Sequence, residues 1–189
     1  MRTAIFIERD GILNLPKVEG QYQIAPRTAD ELELNRAATK PLEALKAAGY
    51  LLIATTNQPG ISRGHLTRRE LDLMHSLASK AFALDDILMC PHDEWDRCPC
   101  RKPKPGLFRE ASFKWQIDLD HSFVISDKWQ DAKAAQNAGC TSILIKSPWN
   151  GTGHHDFIIP DIESAVAKIL ELQSYFSMLS SRSELLAKT

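Results

Sequence analysis

Apolar residues gather in short unbroken runs along the chain, and each run is followed by a stretch with helical spacing. The runs Thr3–Ile7, Tyr50–Ala54, Asp86–Met89, Ser122–Ser126 and Ser142–Ile145 predict strands. They are rich in Ile, Leu, Val and Phe and do not alternate with polar residues, which is the pattern of strands buried on both faces. "RAATKPLEALKAAG" puts Leu42, Leu45 and Ala48 on one helical face and stops at Gly49. "TRRELDLMHSLASKAF" opens at Thr67 with Glu70 three residues on, which predicts a capping box. Its Leu71, Met74, Leu77, Ala78 and Ala81 form a stripe that reads as core. "GLFREASFKWQI" and "QDAKAAQNAG" predict two more helices, and Asp161–Leu172 a terminal one that runs on toward Ser180.

Strand–helix alternation implies an α/β fold: a three-layer, Rossmann-like parallel sheet with helices on both faces and right-handed crossovers. One domain is expected over residues 1–175, with a polar, frayed or loosely docked tail over 176–189. Residues 14–33 read as an irregular excursion. No stretch is long enough for a separate cap domain.

Composition narrows the function. The 189 residues are 43% apolar and 25% charged, with a net charge of −1. That balance argues against a general nucleic-acid or polyanion binder. No apolar run approaches the roughly 18 residues of a membrane span. "MRTAIFIERDG" has too short an apolar run for a signal peptide. The expectation is a cytoplasmic protein, a monomer or weak dimer, with no nucleic-acid or membrane partner.

Ligands in open parallel sheets sit beyond the carboxyl ends of the strands. The first strand runs into Glu8-Arg9-Asp10-Gly11, and the second into Thr55-Thr56-Asn57-Gln58. The fourth runs into Asp127-Lys128, with Asp131 further on, and Lys102 precedes a helix. Carboxylates, a hydroxyl and a lysine at one rim suit a divalent cation and a phosphoryl group, and so a small phosphate-ester substrate. Taken singly, each has a plainer reading: an acidic pair as a cap or turn, Asn57 as a turn residue, Asp127 as a helix start.

"CPHDEWDRCPC" has the spacing Cys-x-His-x5-Cys-x-Cys. Three thiolates from Cys90, Cys98 and Cys100 with the His92 imidazole suit tetrahedral Zn²⁺. A closed four-ligand site leaves no place for a reacting water, so this zinc is expected to be structural and to pin the loop that presents Arg101 and Lys102. Cys140 reads as a small core residue. His65, His75, His121, His154 and His155 receive no role, and Trp95 and Trp129 read as packing residues.

"FIERDGILN", "TTNQPGISRG", "CRKPKPG" and "ISDKWQDAKAAQNAG" resemble the four motifs of the haloacid dehalogenase (HAD) superfamily, in the usual order, over residues 3–146. More closely, "RDG-LN", "TNQ-GI-RG", "C-H…C-C-RKP-PG" and "IDL--S" resemble the small phosphatases of the D,D-heptose 1,7-bisphosphate and histidinol-phosphate type. The resemblance implies Mg²⁺-dependent hydrolysis of a sugar phosphate. Heptose 1,7-bisphosphate is the leading substrate and histidinol phosphate the alternative. It makes Glu8 the nucleophile and a Mg²⁺ ligand, and Asp10 the general acid and base, with its carbonyl on the metal. Thr56 and Lys102 would bind the phosphoryl oxygens. Asp127 would ligate Mg²⁺ with Asp131 in support, and Asn57, Arg63, Arg101 and Lys128 would grip substrate. Family members also carry zinc in this loop. Two positions depart from the pattern. Glu8 stands where the family has Asp, and Ser126 where it usually has Gly. Glu8 leaves three readings open: an active phosphatase with altered geometry, a phosphate-ester-binding protein with little turnover, or an enzyme for another reaction.

Overall fold

Strand β1 (Ala4–Glu8) is buried along its whole length. Ala4 and Phe6 pack into one apolar cluster, while Ile5 and Ile7 pack into another on the opposite face. The structure, a computed structural model, describes residues 1–186, with side chains through residue 176 and at 178. After β1 come a short hairpin, β2 (Lys17–Glu19) and β3 (Tyr22–Ile24), then α1 (Thr39–Ala47), β4 (Leu51–Asn57) and α2 (Arg68–Phe82). The chain continues through β5 (Asp86–Cys90), α3 (Gly106–Trp115), β6 (Phe123–Ser126), α4 (Trp129–Ala138), β7 (Thr141–Ile145), β8 (Phe157–Ile159) and α5 (Ile162–Leu186).

The main sheet has the order β5-β4-β1-β6-β7-β8, and every pairing is parallel. Leu42 and Leu45 of α1, Ala78 and Phe82 of α2, and Ile162, Ala165 and Ile169 of α5 cover one face. Leu107, Phe108 and Ala111 of α3 and Ala134 and Ala135 of α4 cover the other. The expected three-layer α/β architecture is what the chain adopts. The strand order reverses between β1 and β6, and such a crevice is where a ligand binds in this architecture.

Differences from the sequence reading are local. Residues 14–33 contain the antiparallel β2–β3 hairpin, whose three-residue strands are too short to show a period. β8 adds an edge strand through the apolar triplet Phe157–Ile159. Thr67 Oγ1 accepts the Glu70 N–H at 3.2 Å, but the Glu70 carboxylate does not return to Thr67. It accepts the Ala29 N–H at 2.9 Å and so ties the excursion to α2, leaving half of the expected capping box. Leu77 is exposed, because it lies on the face of α2 turned away from the sheet. α5 is unbroken helix through Leu186, past the expected start of the tail at 176; residues 187–189 lie outside the described residues. Among the described residues, no helix is long and apolar enough to cross a membrane.

Candidate active site and metal centre

The period of β1 decides where its last residue points. Glu8 shares parity with Ala4 and Phe6, and so faces the layer built by α3 and α4. Lys102, just ahead of α3, and Asp131, in the first turn of α4, meet it there. Lys102 Nζ donates to Glu8 Oε2 and Asp131 Oδ1, both at 2.5 Å, and to the Thr55 carbonyl at 2.9 Å. All three charged side chains are buried. Burial pushes the Glu8 carboxyl up, but Lys102 and Lys128 outweigh it and hold the acid down at about 2. Burial raises the Asp131 carboxyl, and the Glu8 charge adds to that against Lys102. Burial lowers Lys102, but Asp131 and Glu8 more than reverse it, so its ammonium stays charged.

Asp10 is fixed by residues that drew no role in the sequence. Arg9, fully buried, donates through Nε and Nη2 to the two Asp10 carboxylate oxygens, each at 3.1 Å. Gln58 Nε2 donates to Asp10 Oδ2 at 2.7 Å and to Thr56 Oγ1 at 2.9 Å. Thr56 thus stands at the expected strand end, with its hydroxyl joined to Asp10 through Gln58. The signal for Arg9 was an arginine placed at a buried strand end, where only a carboxylate partner makes it tolerable.

Asp127 follows β6 and approaches Gly11 closely. A Cβ at Gly11, whose φ is +105°, would lie 2.3 Å from Asp127 Oδ2. Only glycine lets the two loops meet here. Gln23 from the hairpin donates to Asp127 Oδ2 at 3.2 Å, which brings the excursion to the rim. Lys128 donates to Asp127 Oδ1 at 2.7 Å and to the Asp10 carbonyl.

The four expected Mg²⁺ ligands therefore share one rim, with an ammonium between Glu8 and Asp131 and another between Asp127 and the Asp10 carbonyl. Hard oxygen donors of this kind suit Mg²⁺. Asp131 Oδ2 is buried with no protein partner, a carboxylate oxygen that an ion or its water would satisfy.

The expected substrate-gripping residues have more specific partners. Asn57 clamps the Lys102 backbone, with Nδ2 on its carbonyl and Oδ1 on its N–H, both at 3.1 Å. Arg63 forks onto Asp93 at 2.5 and 2.6 Å, tying its loop to the metal loop. Arg101 donates to the His92 carbonyl at 3.2 Å. Arg63, Arg101 and Lys128 line a cavity of about 350 Å³ above Glu8 and Asp10, where Arg27 and His65 join them. Arg27 and His65 sit in polar loops that show no pattern in the sequence.

Cys90, His92, Cys98 and Cys100 converge as the spacing predicts. Their donor atoms all lie within 4.8 Å of one another. Cys90 Sγ is 3.6 Å from Cys98 Sγ and 3.3 Å from Cys100 Sγ, and His92 Nδ1 is 3.3 Å from Cys100 Sγ. Tetrahedral Zn²⁺ with Zn–S of about 2.3 Å holds sulfurs about 3.8 Å apart. The cysteines are free thiols, and the donor set fits zinc. Cys140 is buried in the α3–α4 core, as expected.

Comparison with known proteins places the chain in a family. Residues 99–165 match the HAD-hydrolase-like family model. The chain is 36% identical over 153 residues to the D-glycero-β-D-manno-heptose-1,7-bisphosphate 7-phosphatase of Helicobacter pylori, covering 77% of this chain and 85% of that protein. The chain belongs to the heptose-1,7-bisphosphate 7-phosphatase family of HAD-like hydrolases. A family member from Escherichia coli is 33% identical over 180 residues, 88% of each chain. A crystal structure of D,D-heptose 1,7-bisphosphate phosphatase from B. bronchiseptica, complexed with magnesium and phosphate, superimposes with a TM-score of 0.78 at 27% identity. That alignment covers 90% of this chain and 99% of the other.

Proposed function

We propose that the chain is a Mg²⁺-dependent phosphatase that removes the 7-phosphate of D-glycero-D-manno-heptose 1,7-bisphosphate. The observation that carries this reading is the buried Glu8 carboxylate, held ionised by Lys102 at the floor of a cation-lined cavity. The relatives named above act on this bisphosphate, and they match most of the chain.

In this reading a Glu8 carboxylate oxygen attacks the phosphorus. A Glu8–phosphorus acyl-phosphate bond forms and the bond to the sugar oxygen breaks. Asp10 gives its proton to the departing alkoxide. It then takes a proton from a water that attacks the same phosphorus, releasing phosphate and restoring Glu8. Lys102 and Thr56 stabilise charge on the phosphoryl oxygens. Mg²⁺, when bound by Glu8, the Asp10 carbonyl, Asp127 and Asp131, supplies a positive charge that offsets the dianionic phosphate. Arg101, Arg63 and Lys128 meet the rest of the substrate, where the remaining phosphate calls for cationic donors. Cys90, His92, Cys98 and Cys100 would hold Zn²⁺, which would fix the segment that delivers Arg101 and Lys102.

Phosphate release tests the reading. With Mg²⁺, the chain should hydrolyse heptose 1,7-bisphosphate in preference to histidinol phosphate and leave the 1-phosphate in place. Binding of the bisphosphate without release of phosphate would reduce the chain to a phosphate-ester-binding protein.

A further inference from the structure

The Lys128 side chain sits among the oxygens that the rim would offer to a divalent cation. It donates to the Asp10 carbonyl and, at 2.7 Å, to Asp127 Oδ1. The backbone beneath it is pinned. The Lys128 N–H donates to Ser126 Oγ at 3.1 Å, and the Asp127 carbonyl accepts from Ser147 Oγ at 2.5 Å and Asn150 Nδ2 at 3.1 Å. The side chain itself has room to move. It borders both the cavity above Glu8 and a second cavity walled by Tyr22, Trp129 and Trp149. Lys102 differs: its side chain is 1% exposed against 21% for Lys128, and it is also bound to the Thr55 carbonyl.

Mg²⁺ needs oxygens at about 2.0–2.1 Å and cannot share them with an ammonium that fills the same space. We propose that Lys128 is a built-in counter-ion that competes with the divalent cation for Asp127 and the Asp10 carbonyl, and swings into the adjoining cavity when the ion binds. This inference rests on reading the rim as a Mg²⁺ site. With the ion absent, the ammonium prevents a buried, unpaired carboxylate at Asp127. With the ion bound, the same ammonium is released on the side where a substrate phosphate enters. Ser126, the second departure from the family pattern, supports the exchange by fixing the Lys128 backbone so that only the side chain moves.

Two measurements on the zinc-loaded, Mg²⁺-free full chain test this. Calorimetric titration with MgCl₂ should show Lys128→Met binding the ion at least tenfold more tightly than the native chain. Loss of a positive charge at a distance would also tighten binding, so the second measurement follows the amine. Acetylation of Lys128 by a small N-hydroxysuccinimide ester, read by peptide mass spectrometry against exposed Lys17, should rise at least threefold when Mg²⁺ is added. Equal or weaker Mg²⁺ binding by the variant, or Lys128 labelling indifferent to Mg²⁺, overturns the proposal. If the variant does not fold, labelling of the native chain decides alone. Absence of Mg²⁺ binding in both proteins would instead remove the cation site on which the proposed function stands, and this inference with it.

Discussion

The Lys102 ammonium donates to the Glu8 carboxylate at 2.5 Å, and both side chains are almost wholly buried. Asp131 accepts from the same ammonium, so one lysine pairs with two buried acids. Removing one partner of a buried ion pair leaves an uncompensated charge and costs about 3–5 kcal/mol. Lys102→Met should therefore lower unfolding stability by about that amount in Mg²⁺-free buffer. Urea denaturation of the two proteins measures it. A loss below about 1 kcal/mol would show that the carboxylates stay in the interior without the lysine.

Glu8 reaches one methylene further than the aspartate of the family pattern. A misplacement of about 1 Å in the reacting atoms can cost on the order of 10²-fold in rate. Glu8→Asp should raise kcat by about tenfold or more if the shorter carboxylate still meets Lys102. Glu8→Gln, which keeps the length and loses the charge, should abolish phosphate release. A Glu8→Asp chain slower than the native one would mean that the cavity has adjusted to glutamate.

Much of this was legible in the chain because it rests on short-range pattern. The unbroken apolar runs fixed the parallel strands, and Glu8, Thr56 and Asp127 then had to emerge at one rim. The zinc ligands were legible from residue type and spacing, since three cysteines and a histidine fall within eleven residues of chain. What was hidden depends on tertiary partners. Arg9 was legible only as a charge at a buried strand end, not as the fork that holds Asp10. Gln23 reaches Asp127 across 104 residues, from a hairpin too short to announce itself. Asn57 and Arg63 were legible as rim residues, but not as the clamps on the Lys102 backbone and Asp93 that the fold makes of them.

His75 gives a pH signature. Burial holds its imidazole down at about 4, and the nearby Arg9 charge pushes the same way. An unfolded histidine titrates near 6.5. Below that pH the unfolded chain takes up the proton first, so the neutral, buried ring contributes stability that is complete above about 6.5 and is lost as pH falls toward about 4. The full effect is about 3 kcal/mol. His75→Gln should gain stability relative to the native chain as pH falls from 7.5 to 4.5. Comparing the two proteins cancels the carboxylates, which titrate in both. Parallel stability curves would show that His75 is not protected from protons.

Zinc should hold the phosphate-binding segment in place. Elemental analysis should find about one Zn²⁺ per chain. Stripping it with a thiol-competing chelator, then restoring Mg²⁺, should lower both thermal stability and kcat/KM, because Arg101 and Lys102 directly follow the last ligand, Cys100. Full activity in zinc-free protein would separate the metal loop from the chemistry.

Gly11 offers the sharpest test of how closely the ends of β1 and β6 must meet. An alanine there would put a methyl group 2.3 Å from Asp127 Oδ2 and 2.7 Å from Gln23 Nε2, on a backbone with φ of +105°. Two penalties are mixed in that substitution, a strained backbone and a displaced carboxylate. Gly49, with φ of +94° and nothing within 4 Å of its missing Cβ, separates them. Gly49→Ala should cost stability alone, about 1–3 kcal/mol of left-handed strain. Gly11→Ala should also weaken Mg²⁺ binding by at least tenfold and lower kcat, because Asp127 must turn away from the rim. Calorimetric Mg²⁺ titration of the two variants distinguishes these outcomes. Equal Mg²⁺ affinity in both would mean that Asp127 is free to move without loss, and so is not a ligand.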